Sequence, residues 1–141
     1  MQGQFFEDLS IGQSAEMTRV VDAADIEAFA EVSGDQNPVH LDAAYAKTST
    51  FGERIAHGML SGAYISAVLG TRLPGPGAIY LSQSLTFRRP VRIGDAVTAR
   101  VTVKALDERR GRVTFETVCE VDGRAVVDGE AVVIAPRRTT G

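Results

Sequence analysis

Cysteine, histidine and tryptophan are scarce in this 141-residue chain, with one, two and none respectively. A lone Cys119 allows no internal disulfide and no thiolate metal cluster, and two histidines argue against a multi-histidine metal site. Basic charge is not in excess either: 15 Lys and Arg face 18 Asp and Glu, a net charge of −3. A nucleic-acid backbone therefore finds no electrostatic footprint, and no nucleic-acid partner is expected. The first residues lack the basic n-region of a secretory signal. The longest uncharged run, residues 55–71, is 17 residues and sits near the lower limit for a membrane span. That run is interrupted by His57, Gly58, Ser61, Gly62, Ser66 and Gly70 and is followed by strand-like sequence, which favours burial in a globular fold over a membrane. Hydrophobic content of 44% and charged content of 23% are ordinary for such a fold. The expectation is one soluble, cytoplasmic domain over residues 1–141.

What is present divides into a helical first half and a β-rich second half. Asp22 reads as an N-cap, Ile26, Phe29 and Ala30 follow at helical spacing, and Gly34 supplies the stop, predicting a helix over residues 23–33. Residues 35–41 read as a loop around Pro38, and Asp42 as the cap of a short helix through Lys47. A helix apolar nearly all round runs from Gly58 to Gly70. From Ala78 the period changes to two. One strand is predicted from Ile79 through Phe87, ending at Pro90, then alternating strands through Val97–Val103 and Val113–Val121, with a tight turn at Asp122-Gly123 and a last strand over residues 125–134. The tail from Arg137 reads as frayed. A sheet face covers one side of an all-round apolar helix, so a second copy of the chain is expected to cover the other. The fold class is α+β, an antiparallel sheet wrapped around a long central helix, homodimeric.

Two places carry candidate chemistry. Asp35 and His40 flank Pro38 in a turn, and a carboxylate meeting an imidazole can hold a water and move its protons. A solvated turn accounts for the same residues, and spacing alone leaves both readings open. Gly58 follows His57 at the head of the apolar helix, where unpaired N–H groups point outward and a substrate carbonyl could approach; close packing against a strand is the plainer account. The glycine-rich residues 70–77 lack the lysine and spacing of a phosphate loop. Ser61 and Ser66 have no neighbouring base and no nucleophile-elbow pattern. Arg88 and Arg89 could meet an anionic ligand but read more simply as a solvated strand end, and Cys119 as a small core residue.

Residues 33–40, Ser-Gly-Asp-Gln-Asn-Pro-Val-His, resemble the hydratase 2 motif of the MaoC-like (R)-specific enoyl-CoA hydratases. Residues 54–60, Arg-Ile-Ala-His-Gly-Met-Leu, resemble the family's entry into its central helix, and the likeness runs from about Phe5 to Ala135. It is nearest to the short single-domain hydratases that feed polyhydroxyalkanoate synthesis. The resemblance implies a hot-dog fold, a homodimer and reversible hydration of a trans-2-enoyl-CoA to an (R)-3-hydroxyacyl-CoA. It implies Asp35 as the base that deprotonates water and His40 as the group that delivers a proton to C2. The Gly58 amide would face the thioester oxygen, Ser66 would lie near the catalytic carboxylate, and Asn37 with Pro38 would shape the turn. Neither metal nor cofactor is implied, because CoA arrives with the substrate. Phe29 stands where many members have tyrosine. A dehydratase acting on acyl-carrier-protein thioesters, or a non-catalytic acyl-thioester-binding subunit, shares the scaffold.

Overall fold

The computed structural model describes residues 2–138. Its elements are a 3₁₀ turn (Phe6–Asp8), β1 (Ser14–Val20), α1 (Ala23–Ser33), α2 (Pro38–Leu41), α3 (Ala43–Thr48), α4 (Gly58–Thr71), β2 (Ile79–Gln83), β3 (Thr86–Phe87), β4 (Ala96–Asp107), β5 (Arg112–Val121) and β6 (Arg124–Ile134). All strands pair antiparallel in the order β1-β4-β5-β6-β2, with β3 also on β6. The sheet curls around α4, as the hot-dog expectation requires.

Local chemistry explains the helix ends. The Asp22 carboxylate accepts from Asp25 N (2.8 Å) while the Asp25 carboxylate accepts from Asp22 N (3.1 Å), so two otherwise orphaned donors at the start of α1 are satisfied reciprocally. Gly34 closes the helix in the left-handed region, at φ 80°. Alternation then builds the core: Val97, Ala99, Val101 and Val103 of β4, and Val113, Phe115, Thr117 and Cys119 of β5, are all buried. They meet Leu60, Ile65, Val68 and Leu69 of α4. At the β5–β6 hairpin both Asp122 (φ 52°) and Gly123 (φ 76°) are left-handed, the conformation a tight two-residue hairpin demands.

Four expectations are corrected. Residues 14–20 form an edge strand in the half expected to be helical, paired with β4 from Ser14↔Thr102 to Val20↔Ala96. Pro38 opens a short helix instead of lying in a loop, because at the first helical position its missing N–H has no partner to lose. The single strand predicted from Ile79 to Phe87 is two, β2 and β3. Between them Ser84 steps onto β6 so closely that a Cβ on Gly129 would lie 1.8 Å from the Ser84 carbonyl oxygen. The tail is tied down as far as described: Arg138 pairs with Asp8 (2.7 Å) and the Arg137 guanidinium lies 4.8 Å from the centre of the Phe6 ring. Residues 139–141 of that predicted tail lie outside the described residues. Among the described residues no helix is long and apolar enough to cross a membrane.

Cys119 is fully buried and its Sγ lies 3.4 Å from the Ser61 carbonyl oxygen, to which the thiol donates. Burial pushes its pKa from 9.0 up to about 12. The folded state thus disfavours the thiolate, and the associated stability is whole below the unfolded value and lost as pH rises from about 9 towards about 12. Native protein is expected to resist disulfide-exchange reagents at about pH 8 and to react fully once unfolded in denaturant. Rapid labelling of the native protein would contradict this burial.

Candidate active site

The connection from α1 to α2 is a chain of side-chain-to-backbone bonds. Ser33 Oγ donates to Phe29 O (2.7 Å) and accepts from Asp35 N (3.1 Å). Asp35 Oδ1 accepts from Asn37 N (3.2 Å), and Asn37 Oδ1 accepts from Val39 N (3.2 Å), capping α2. Asn37 caps α2 with its side chain and Pro38 stands at the first helical position with its fixed φ. Asp35 stays exposed while His40, one turn further on, is buried.

His40 is gripped from two sides by residues 54 and 55. Its carbonyl accepts from Arg54 Nε (2.7 Å), and its Nδ1 lies 2.8 Å from Ile55 O. A carbonyl oxygen only accepts, so Nδ1 carries the proton there and Nε2 is left as the working nitrogen. Arg54 Nη2 lies 3.9 Å from Glu27 Oε1, near enough for charge attraction though not for a hydrogen bond.

His57, the residue before α4, enters the same cluster. Its ring stacks on His40 with centroids 3.9 Å apart and planes 26° apart, and Phe29 packs against its other side at 4.9 Å. His57 Nε2 is 3.0 Å from the Asp35 carbonyl oxygen. One carboxylate oxygen of Asp35 and one ring nitrogen each of His40 and His57 lie within 4.8 Å of one another. Distance alone would admit a cation. The ring planes argue against a shared one, because ligand lone pairs lie in the plane of an imidazole and two stacked rings do not aim them at one point.

Beside this cluster opens a cavity of about 420 Å³ whose wall includes Asp35, His57, Gly58, Met59, Ser61 and Phe87. His40 is not part of that wall and reaches the site beside Asp35. Gly58 is the first residue of α4, so its N–H has no carbonyl one turn earlier to bond. Close packing accounts for this glycine, since a Cβ at 58 would lie 2.6 Å from two carbons of the Phe87 ring, and the residue also lines the cavity. Arg88 and Arg89 stand on the same wall; Arg88 pairs with Asp128 (Nε–Oδ2 3.1 Å).

The structure thus brings together Asp35, His40, Gly58 and the turn residue Asn37. It does not bring Ser66 to them within this chain: Ser66 is exposed on α4 and is absent from the cavity wall. Ser61, one buried turn earlier, lines the cavity instead. His57 is the residue that sequence pattern did not single out, although its place immediately before Gly58 was a signal that it would stand at the helix head.

The family described as MaoC like domain matches residues 8–125. An (R)-specific enoyl-CoA hydratase of Rhodospirillum rubrum is 56% identical over 134 residues, which is 95% of this chain and 93% of the relative. The unliganded R-hydratase PhaJ1 of Pseudomonas aeruginosa superposes with a TM-score of 0.92 at 50% identity, covering 96% of this chain and 88% of that one. The (R)-hydratase of Aeromonas caviae involved in PHA biosynthesis gives 0.90 at 46% identity, over 92% and 99% of the two chains.

Proposed function

The chain belongs to the MaoC-like family, and from that premise we propose that it is an (R)-specific enoyl-CoA hydratase in which Asp35 and His40 activate the water. The observation that carries the residue assignment is the Asp35–His40 pair held side by side at the edge of a cavity headed by the Gly58 N–H. Similarity to hydratases named for this reaction supports the activity itself.

The geometry suits the chemistry step by step. Water lies between the Asp35 carboxylate and His40 Nε2, and the enoyl thioester enters the cavity with its carbonyl toward Gly58. As the water oxygen bonds to C3, one O–H breaks and its proton passes to Asp35. The C2–C3 π pair moves toward the thioester, where the Gly58 N–H stabilises the enolate oxygen, an effect worth roughly 3–4 kcal/mol per donor. Asp35 passes that proton to the bare Nε2 of His40, whose Nδ1–H stays on the Ile55 carbonyl, and Nε2 delivers it to C2. One water has been added and both groups are reset. The addition changes no net oxidation state, so the proposed reaction draws on no redox cofactor, and CoA enters as part of the substrate.

We also propose that the working unit is a homodimer. On α4, Met59, Ala63, Ser66 and Gly70 form an uncovered stripe, and the edge strand β2 exposes Ile79, Tyr80 and Leu81. An unpaired apolar edge strand and an uncovered helix face are surfaces that a second copy would bury. Ser66, on that stripe, would then lie at the interface.

Purified protein is expected to remove the conjugated-thioester absorbance of crotonyl-CoA, to yield (R)-3-hydroxybutyryl-CoA on chiral analysis, and to sediment at the mass of two chains. An (S) or racemic product would overturn the stereochemical reading. Turnover of carrier-protein thioesters without turnover of any enoyl-CoA would overturn the substrate.

A further inference from the structure

We propose that His57 is a positioning residue that ties the catalytic carboxylate and the catalytic imidazole to one another through a single ring; this rests on the hydratase reading above. Asp35 lies on an exposed turn whose other bonds are local, to Ser33 Oγ and from Asn37 N. Among the hydrogen bonds of the described residues, that from His57 Nε2 to the Asp35 carbonyl fastens this turn to the head of α4, 22 residues away in sequence. His40, by contrast, is fixed by Arg54 and Ile55. The stack at 3.9 Å then sets the plane of the His40 ring against the same His57 that holds Asp35. Gly58 follows directly in the chain, so the residue that locates the acid–base pair also begins the helix whose first N–H faces the substrate oxygen.

The protonation pattern is dictated by the partners. The Asp35 carbonyl accepts, so His57 carries its proton on Nε2. Nδ1 is then a bare lone pair, and it is buried without a partner among the described residues, in a residue only 2% exposed. A lone pair left over in this way is the by-product of committing the one proton to Asp35. Phe29 closes the far side of His57, so the ring has little freedom to turn away.

Three substitutions separate the two contacts. His57→Ala removes both, His57→Phe keeps a flat ring but no donor, and His57→Gln keeps an N–H for the Asp35 carbonyl but no ring. On crotonyl-CoA, His57→Ala is expected to lower kcat roughly 10- to 100-fold with KM within about threefold, the range that a small misplacement of reacting groups produces. His57→Gln is expected to recover part of that loss and His57→Phe to recover less. A His57→Ala enzyme within about twofold of the parent, equal losses in Gln and Phe, or rescue by Phe alone would each overturn the proposal. Imidazole ¹⁵N spectra of the unsubstituted protein decide the matter even if a variant does not fold. A single Nε2–H tautomer for His57 is expected, and an Nδ1–H tautomer would overturn the tie to Asp35. If the parent fails to hydrate crotonyl-CoA, the functional reading falls, while the spectrum still tests the His57–Asp35 bond.

Discussion

Asp35→Asn is expected to lower kcat for enoyl-CoA hydration about a thousandfold, within the span that removal of a general base produces and equivalent to roughly 4 kcal/mol of barrier. The substitution is close to a pure chemical change. Asp35 is exposed, so no buried charge is lost from the core. Its Oδ1 accepts from Asn37 N at 3.2 Å, and an asparagine oxygen can take the same bond, so the turn that feeds α2 survives. Its backbone contacts, to Ser33 Oγ and from His57 Nε2, do not involve the side chain. Thermal stability should therefore stay close to the parent's, with KM little changed, while the water has no acceptor for its proton. A folded Asp35→Asn enzyme that keeps near-normal kcat would remove Asp35 from the mechanism.

His40→Asn carries the second large effect, on the order of 10²- to 10³-fold in kcat. Asparagine can place an N–H where His40 Nδ1 donates to the Ile55 carbonyl, yet it has no counterpart of Nε2. The variant thus preserves the anchor and deletes the working atom. Here some stability is lost as well, because a buried ring stacked on His57 is replaced by a smaller side chain. The kinetic loss should exceed anything attributable to unfolded protein, as measured from kcat per folded molecule. Combining it with Asp35→Asn should cost little beyond the worse single variant, since groups that act as a unit are not additive. Additive losses would mean that the two act independently.

How much of this was legible in the sequence depends on whether the deciding contact is local. The bounds of α1 followed from Asp22 and Gly34, because capping is settled within a few residues. The core strands β4 and β5 followed from alternation, because each buries one face against α4. The edge strand β1 did not. Only Ala15 and Met17 are even half-buried there, and Ser14, Glu16, Thr18, Arg19 and Val20 lie exposed, so no clean period survives. The break between β2 and β3 is set by Gly129 on β6, a partner remote in the chain. Within the site, Asp35, His40 and Asn37 were legible as a motif because one turn holds them. The resemblance pointed to Gly58, and the helix head gives its amide a physical reason to matter. His57 was not legible, since its stack on His40 and its bond to Asp35 exist only once α4 is docked against the turn. Ser66 was named by resemblance, and this chain alone leaves it on the face that a second copy would cover.

The central claim is that one carboxylate–imidazole pair, on one side of the substrate, both activates the water and protonates C2. Hydration of crotonyl-CoA in D₂O, with the relative configuration at C2 and C3 of the product read by proton NMR, tests it most directly. Asp35 and His40 sit side by side, so oxygen and deuterium should arrive on the same face and give a single syn diastereomer. An anti product, or a mixture at C2, would mean that the second proton comes from elsewhere, and would contradict the account.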